Sequence, residues 1–548
     1  MNCFRLTRLF AVCALAVSAT GALAVAQNAT APHAAAKHAA ATTQAKVPSG
    51  TVGTLAGGEW TTYNGDYSGK RYSPLTKLTP QNVTSLQLAW TSRITTTTGG
   101  GRRISATPLS IDGVLYFTVP SHVWATDART GKQIWQFDWA SKGGEAIGNR
   151  GAAVKGDTLY FETEDCNLVA INIHTGKEKW HVPIANPDQF YFGSVAPVIV
   201  KNHVMVGVSG DDFDIPGYVE AHDPETGKLQ WRFYTHPEPG TPEAKTWPND
   251  EAMTHGGGMT WTAGTYDPDL NLYYFGTGNA QPVIAGKNRP GDNLYTGTIC
   301  ALNPDTGKLA WYFQPNPHDT HDWDATQPTV LVDGTIGGKP RKLLLQASRN
   351  GWYFVIDRTD GKVITSTPFA RQNWTVGLKP NGQPIPNTEK EARSNGVITM
   401  PAQGGAANWY PTSFSPKTGL YYVPASDSAS IYYLYDDSDK PEGWAGNDRF
   451  GWQENYLRAL DYRTGKTKWE HKWPSTGAKS GILTTATNLL FTGDTTTNLV
   501  AFNAATGDIL WHAGLNAAVT NGPITFELDG LQYVVVAAGD TLYGFVLR

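Results

Sequence analysis

Charge, cysteine and methionine are all scarce in this chain of 548 residues. Only 17% of residues are charged, and there are 4 Cys and 5 Met. Few segments carry the repeated Glu and Lys of surface helices, which argues against an all-helical protein. Formal net charge is −4, so there is no basic excess to suit nucleic acid or an anionic membrane surface. Cys3 and Cys13 fall in the N-terminal segment, leaving Cys166 and Cys300 for the body of the protein. These two lie in non-adjacent copies of a repeat, which disfavours a disulfide between them. No Cys-x-x-Cys-His sequence occurs, so these residues offer no site for covalent haem attachment. Beyond the N-terminal segment, no apolar run is long enough to span a bilayer.

Residues 1–26 read as a signal peptide: Arg5 and Arg8 precede the apolar run Leu9–Leu23, and Ala24-Val25-Ala26 offers a small-residue cleavage site. Residues 27–50 are Ala-, Thr- and His-rich and read as a flexible leader. Export is expected, with the periplasm as destination. Residues 51–548 then form the functional domain.

What the chain has in abundance is turn residues and aromatics: 58 Gly, 34 Pro, 19 Trp and 24 Tyr. They fall into a repeated phrase, Ala-x-Asp/Asn-x-x-Thr-Gly-Lys-x-x-Trp. Its best copies run Ala125–Trp135, Ala170–Trp180, Ala221–Trp231, Ala301–Trp311, Ala459–Trp469 and Ala501–Trp511, and a worn copy at Val355–Ile364 lacks the Trp. The glycines of the seven copies are spaced by 45, 51, 80, 54, 104 and 42 residues. The shortest gaps fit one four-stranded propeller blade, and the long ones mark insertions. Within each copy, Asp or Asn caps a tight turn, Gly supplies positive φ, and the next strand leaves toward Trp. A Trp at one fixed place per repeat can wedge between neighbouring blades.

After Trp511 three further strands follow, and the fourth partner for them is Leu86-Gln87-Leu88-Ala89-Trp90 near the start. Pairing the two ends closes an eighth blade and removes exposed sheet edges. The expected fold is an all-β, eight-bladed propeller closed by its N- and C-terminal strands.

Several local signatures accompany the repeats: Arg71-Tyr72-Ser73-Pro74-Leu75, Asn149-Arg150-Gly151, His255-Gly256-Gly257-Gly258, Phe275-Gly276-Thr277-Gly278-Asn279, Gly291-Asp292-Asn293-Leu294, His318-Asp319-Thr320-His321-Asp322-Trp323-Asp324 and Arg349-Asn350-Gly351. With these in this order, residues 58–548 resemble the quinoprotein alcohol dehydrogenases, which use pyrroloquinoline quinone (PQQ) in an eight-bladed propeller. Lacking a haem-attachment sequence, the chain looks like the haem-free type.

On an extended segment, Asp322 and Asp324 would share one face with Trp323 on the other. Two carboxylates on one face are costly unless a cation or shared proton lies between them. An acidic surface loop is the ordinary alternative. The resemblance makes Asp322 the catalytic base and Asp324 the extra carboxylate of members similar to lanthanide-dependent enzymes. It makes Asn279 a metal ligand, with Asp212 where Glu is usual and Asp214 as a substitute. The ion is then Ca²⁺ or a lanthanide, since a larger trivalent ion takes more oxygen ligands. Trp261 matches the indole floor under the quinone, and the neighbouring glycines allow close backbone approach. Arg150, Ser194, Ser209, Gly210, Asp211, Asn408 and Trp409 match further cofactor contacts. Arg349 matches the guanidinium beside the reactive quinone oxygens. Two departures stand out: Ser105 replaces a common Glu, and Ser141-Lys142-Gly143-Gly144-Glu145-Ala146 stands where many members have adjacent cysteines.

The implied reaction is oxidation of a primary alcohol or related hydroxyl compound to a carbonyl. Asp322 removes the hydroxyl proton while hydride passes to PQQ, and a separate soluble cytochrome c or similar carrier takes the electrons. The insertions Asn373–Gly405 and Asp427–Trp452 are placed to roof the site and select substrate. Two other readings remain open here: a non-catalytic periplasmic scaffold with the same repeats, and a degenerate quinoprotein with weak or specialised turnover.

Overall fold

The computed structural model describes residues 58–96, 103–210, 214–435, 443–477 and 479–548. The expected signal peptide and leader lie outside the described residues, as do Asp211 and Asp212.

The repeated phrase folds as a hairpin. In its first copy, strand His122–Asp127 turns and returns as Gln133–Asp138. Asp127 Oδ1 accepts from the backbone N–H groups of Arg129 and Thr130, each at 2.9 Å, and Gly131 takes φ 71°. This is an Asx-capped turn closed by a left-handed glycine. Two strands precede the hairpin, Leu109–Ile111 and Val114–Val119, giving a four-stranded antiparallel sheet.

The pattern recurs along the chain. Later sheets begin at Ala153–Lys155, Val198–Val200, Thr265–Asp267, Val330–Ile336, Ser413–Ser415, Leu483–Thr485 and Ile524–Leu528. The last of these takes its fourth strand from Leu86–Arg93, which pairs antiparallel with Thr541–Leu547. Tyr72–Ser73 adds in parallel to Leu483–Thr485. The fold is all-β, and the α-helix Asp250–Thr254 is a single short turn in a connection.

Adjacent sheets lock through the Trp of one copy and the Gly of the next. A Cβ on Gly131, Gly176, Gly227, Gly307, Gly361 or Gly507 would lie 2.6–2.8 Å from the rings of Trp90, Trp135, Trp180, Trp231, Trp311 and Trp469 respectively. No side chain larger than hydrogen fits there without moving an indole. Several of these indoles also donate to a backbone carbonyl of the next sheet, as Trp135 does to Ile173 at 3.0 Å. The worn fifth copy has no Trp, and Tyr353 takes the place, its ring 2.7 Å from a Cβ on Gly465. Trp511 meets Phe545 edge-on at 5.5 Å.

Arg71 shows why the first signature matters. It is fully buried and donates to the carbonyls of Tyr63, Ile482 and Pro523 at 2.7–3.0 Å, joining three distant segments. Cys166 and Cys300 are buried and free. The sixth sheet carries the largest elaboration: strands Leu420–Leu434 and Gly446–Asp461 pair over their whole length, and Val397–Thr399 adds alongside.

Candidate active site

The site residues sit in the connections between sheets and in the tight turns inside them, where backbone leaves the ladder and side chains are free to converge. Arg150 precedes the second sheet, Ser194 the third, and Trp261 the fourth. Asn279 follows strand Leu272–Gly276, Asp322 and Asp324 lie between the fourth and fifth sheets, and Arg349 follows Lys339–Ala347. Asn408 and Trp409 precede the sixth.

At the centre, Arg349 donates from its two terminal nitrogens to two carboxylates: to Asp322 at 2.8 Å and to Asp324 at 3.0 Å. All three are buried. One cation beside two anions leaves a net negative charge, which the interior stabilises poorly without a further cation. Burial raises the Asp324 carboxyl above its ordinary range, opposed by Arg349 and by hydrogen bonds from the Asn279 backbone N–H and the Trp261 indole. Arg349 is pushed above its ordinary value: burial works against the cation, but the two carboxylates outweigh it.

The two carboxylates do not converge by strand alternation. Asp322 takes φ 62° and His318 φ 49°, so the segment is not extended. The left-handed turn at Asp322 aims its carboxylate at Arg349. Trp323 packs away from it, stacked on His321 at 4.3 Å and donating to the Ala402 carbonyl at 3.2 Å. Positive φ at a non-glycine residue is strained and clusters at functional sites.

Asp324 is also the acceptor for the Trp261 indole N–H at 2.9 Å and the Asn279 backbone N–H at 2.7 Å. Asn279 is buried, and its side-chain oxygen has no hydrogen-bond partner. An orphaned amide oxygen on a residue bonded to a carboxylate suits a hard cation. Among the described residues no three His, Cys, Asp or Glu side chains gather as a metal site. Asp214 accepts from the Gly443 N–H at 3.1 Å and lines a separate cavity with Tyr218 and His255.

The cluster opens on a cavity of about 360 Å³, lined by Arg150, Ser209, Trp261, Asp322, Asp324, Arg349, Asn408 and Trp409. The Arg150 guanidinium lies 4.5 Å from the Trp261 ring centre and 5.2 Å from that of Trp409. A planar cation held between two indoles marks a slot suited to flat, anionic ring systems. Arg150 also donates to Ser194 Oγ at 2.6 Å, and Ser194 and Ser209 hydroxyls are 2.8 Å apart. Gly210 takes φ 149° beside Ser209 and is not part of the cavity wall.

Gln403, Glu145, Ile147, Phe192 and Trp444 also line the cavity, and the sequence patterns did not single them out as site residues. Gln403 donates its amide to the Asp322 carboxylate. The signal for it was the adjacent Gly404-Gly405. A Cβ on Gly405 would fall 2.1 Å from Arg349 Cγ, so this loop packs directly on the guanidinium stem. Glu145 comes from the stretch that lacks adjacent cysteines, and Ile147 directly follows it. Ser105 is buried near Gly148 and does not reach the cavity.

Comparison with known proteins places this geometry. The family model named PQQ, for the glucose/ethanol/alcohol dehydrogenase β-propeller domain, matches residues 60–395. A second model, outer membrane protein assembly factor BamB, matches only residues 453–546. The chain is 38% identical over 515 residues to quinohemoprotein alcohol dehydrogenase ADH IIB of Pseudomonas putida, covering 88% of this chain and 74% of that protein. The quinohemoprotein alcohol dehydrogenase structure from Comamonas testosteroni superposes with a TM-score of 0.83 at 35% identity, over 89% of this chain and 80% of that one. A europium-containing methanol dehydrogenase gives 0.81 at 28%, over 89% and 98%.

These relatives overturn the haem-free assignment. The type was inferred from a missing Cys-x-x-Cys-His, yet both alcohol dehydrogenases just named are quinohaemoproteins. The missing sequence describes these residues and does not define the type of enzyme they resemble. A purely non-catalytic scaffold is likewise set aside. The chain belongs to the PQQ-dependent alcohol dehydrogenases, oxidoreductases that act on alcohols.

Proposed function

We propose that this chain oxidises a primary alcohol or related hydroxyl compound, with PQQ lying on Trp261 and a hard cation held by Asn279, Asp322 and Asp324. The observation carrying this reading is the buried Asp322–Arg349–Asp324 cluster facing the Trp261 cavity. Bound PQQ supplies the two-electron oxidant.

The chain's own residues do the rest. Asp322 is the base, taking the proton from the substrate hydroxyl. Hydrogen bonds from Arg349 and Gln403 hold its carboxylate in place. Arg349 also supplies fixed positive charge where the oxidant's oxygens gain electrons. Arg150, with the Ser194 and Ser209 hydroxyls, suits a carboxylate of the cofactor, and Asn408 and Trp409 close the opposite wall. By the resemblance, Gly210 and Asp211, which follow Ser209 in sequence, add further cofactor contacts. Asn279 Oδ1 is a neutral ligand, and Asp324 adds a charged one. By the resemblance, Asp212 completes the metal set.

Ca²⁺ and a lanthanide are both in keeping with these oxygens. The europium-containing relative and the added Asp324 favour the lanthanide. Among the described residues, eight sheets of four or five strands, most of them joined to the next by Trp against Gly, and the Leu86–Arg93 pairing support eight blades in one closed ring for the domain at 51–548. Residues 1–26 support export to the periplasm. The haem-bearing relatives support a cytochrome c as electron acceptor.

The test is reconstitution of the purified chain with PQQ plus Ca²⁺ or La³⁺, followed by dye-linked alcohol oxidation. Turnover with La³⁺ and little with Ca²⁺ supports the full reading. Turnover with Ca²⁺ alone removes the lanthanide assignment, and failure to take up PQQ with either ion overturns the site.

A further inference from the structure

A second cavity, of about 530 Å³, adjoins the first. Gln403, Asn408 and Trp409 line both, so the two share one wall. Gln403 is the link to chemistry, because its amide also contacts Asp322. Lys479, Ser430 and Asp448 line the second cavity and not the first.

Lys479 is half-buried and, among the described residues, makes no hydrogen bond or ion pair. Burial, with Arg349 nearby, pulls its ammonium down to about 8. A lysine taken out of water without a partner is unfavourable unless an anion comes to it. Ser430 adds a second observation: its hydroxyl is buried and has no hydrogen-bond partner. An ammonium and an unpaired hydroxyl in one cavity match the two oxygens of a carboxylate. Asp448 in the same wall disfavours a doubly charged anion such as phosphate.

We propose that Lys479 and Ser430 form a carboxylate subsite, and that the substrates this enzyme prefers are alcohols bearing a carboxylate at the end remote from the reacting hydroxyl. The inference rests on the alcohol-oxidising reading above and names its substrate class. The hydroxyl lies at Asp322 and the carboxylate at Lys479, with the shared wall of Gln403, Asn408 and Trp409 along the chain between them. Lys479 touches the substrate's recognition group and takes no part in proton removal.

The test uses the PQQ- and metal-loaded enzyme, a series of ω-hydroxy acids, and the n-alcohols of equal carbon count. Lys479→Met should lower kcat/KM for the hydroxy acids about tenfold or more while leaving the plain alcohols within about twofold, the effect of one charge-assisted contact. Lys479→Arg should restore most of the loss. Calorimetry with simple alkanoates, which carry the carboxylate but no hydroxyl, should show binding to the wild type that Lys479→Met abolishes. PQQ affinity, read by quenching of tryptophan fluorescence, should be unchanged. Equal losses on both substrate classes, weakened PQQ affinity (which would give the lysine to a cofactor carboxylate), or unaltered kinetics would each overturn the proposal. If the wild type oxidises neither class, the catalytic reading fails, while alkanoate calorimetry still decides the subsite.

Discussion

Trp261 donates its indole N–H to the Asp324 carboxylate at 2.9 Å, across 63 residues of sequence. The flat floor of the cavity and the central acid are therefore one unit. Asp324 also accepts from Arg349 and the Asn279 backbone. Replacing Asp324 by Ala strands these buried donors together.

Asp324→Ala should lower the stability of the cofactor-free chain by about 3–5 kcal/mol, the scale of breaking a buried charged network. Asp324→Asn keeps one acceptor oxygen and should lose less. Denaturant unfolding of both variants checks the order, and equal stability of Asp324→Ala and wild type would refute the network.

Asp322→Asn isolates the base. Asn tolerates the left-handed backbone that Asp322 adopts, so the turn should persist. Its side chain cannot take a proton at neutral pH. Turnover should fall by roughly 10²–10⁴-fold, the usual contribution of a general base. Circular dichroism and thermal unfolding should stay close to wild type. A variant of near-normal activity would remove Asp322 from the chemistry.

The repeat architecture was legible because each copy encodes its own turn and its own wedge within a dozen residues. Local chemistry repeated in register needs no knowledge of distant partners. Tyr353 escaped notice because the worn copy broke the pattern at Trp, and a Tyr two residues before the copy restored the contact with Gly465. The site was legible only where motif residues carry the chemistry themselves, as at Asp322, Arg349 and Trp261. Gln403 reaches Asp322 from 81 positions away in an insertion, and no local period announces such a contact. The convergence of Asp322 and Asp324 was expected from an extended strand, yet it arises from a left-handed turn that sequence alternation does not encode.

His321, beside Asp322, gives a pH signature. Burial lowers its imidazole to about 4, and Nε2–H donates to the Lys390 carbonyl at 3.1 Å in the neutral form. A depressed pKa means stability present above about 6.5 and lost as pH falls toward 4. Asp319 acts oppositely: burial raises it to about 6, so its contribution is lost as pH rises from about 4 to 6. The two act in opposite directions in the wild type. His321→Gln removes the first, so on acidification from pH 6.5 to 4 the variant should gain stability relative to wild type by on the order of 2–3 kcal/mol. Parallel unfolding curves across this range would refute the neutral histidine.

The glycine pair behind Arg349 offers a matched control. Gly405 takes φ 76°, and a Cβ there would lie 2.1 Å from Arg349 Cγ and 2.8 Å from the Arg349 carbonyl oxygen. Its neighbour Gly404 has open space around an added Cβ. Gly405→Ala must therefore bear left-handed strain and push the arginine stem, at a cost of about 2–4 kcal/mol. Gly404→Ala should stay within about 0.5 kcal/mol of wild type. Because the displaced stem carries the guanidinium that holds Asp322, Gly405→Ala should also reduce turnover while Gly404→Ala leaves it intact. Unfolding and kinetics measured side by side decide it: if both alanines behave alike, Arg349 is not held in place by this loop.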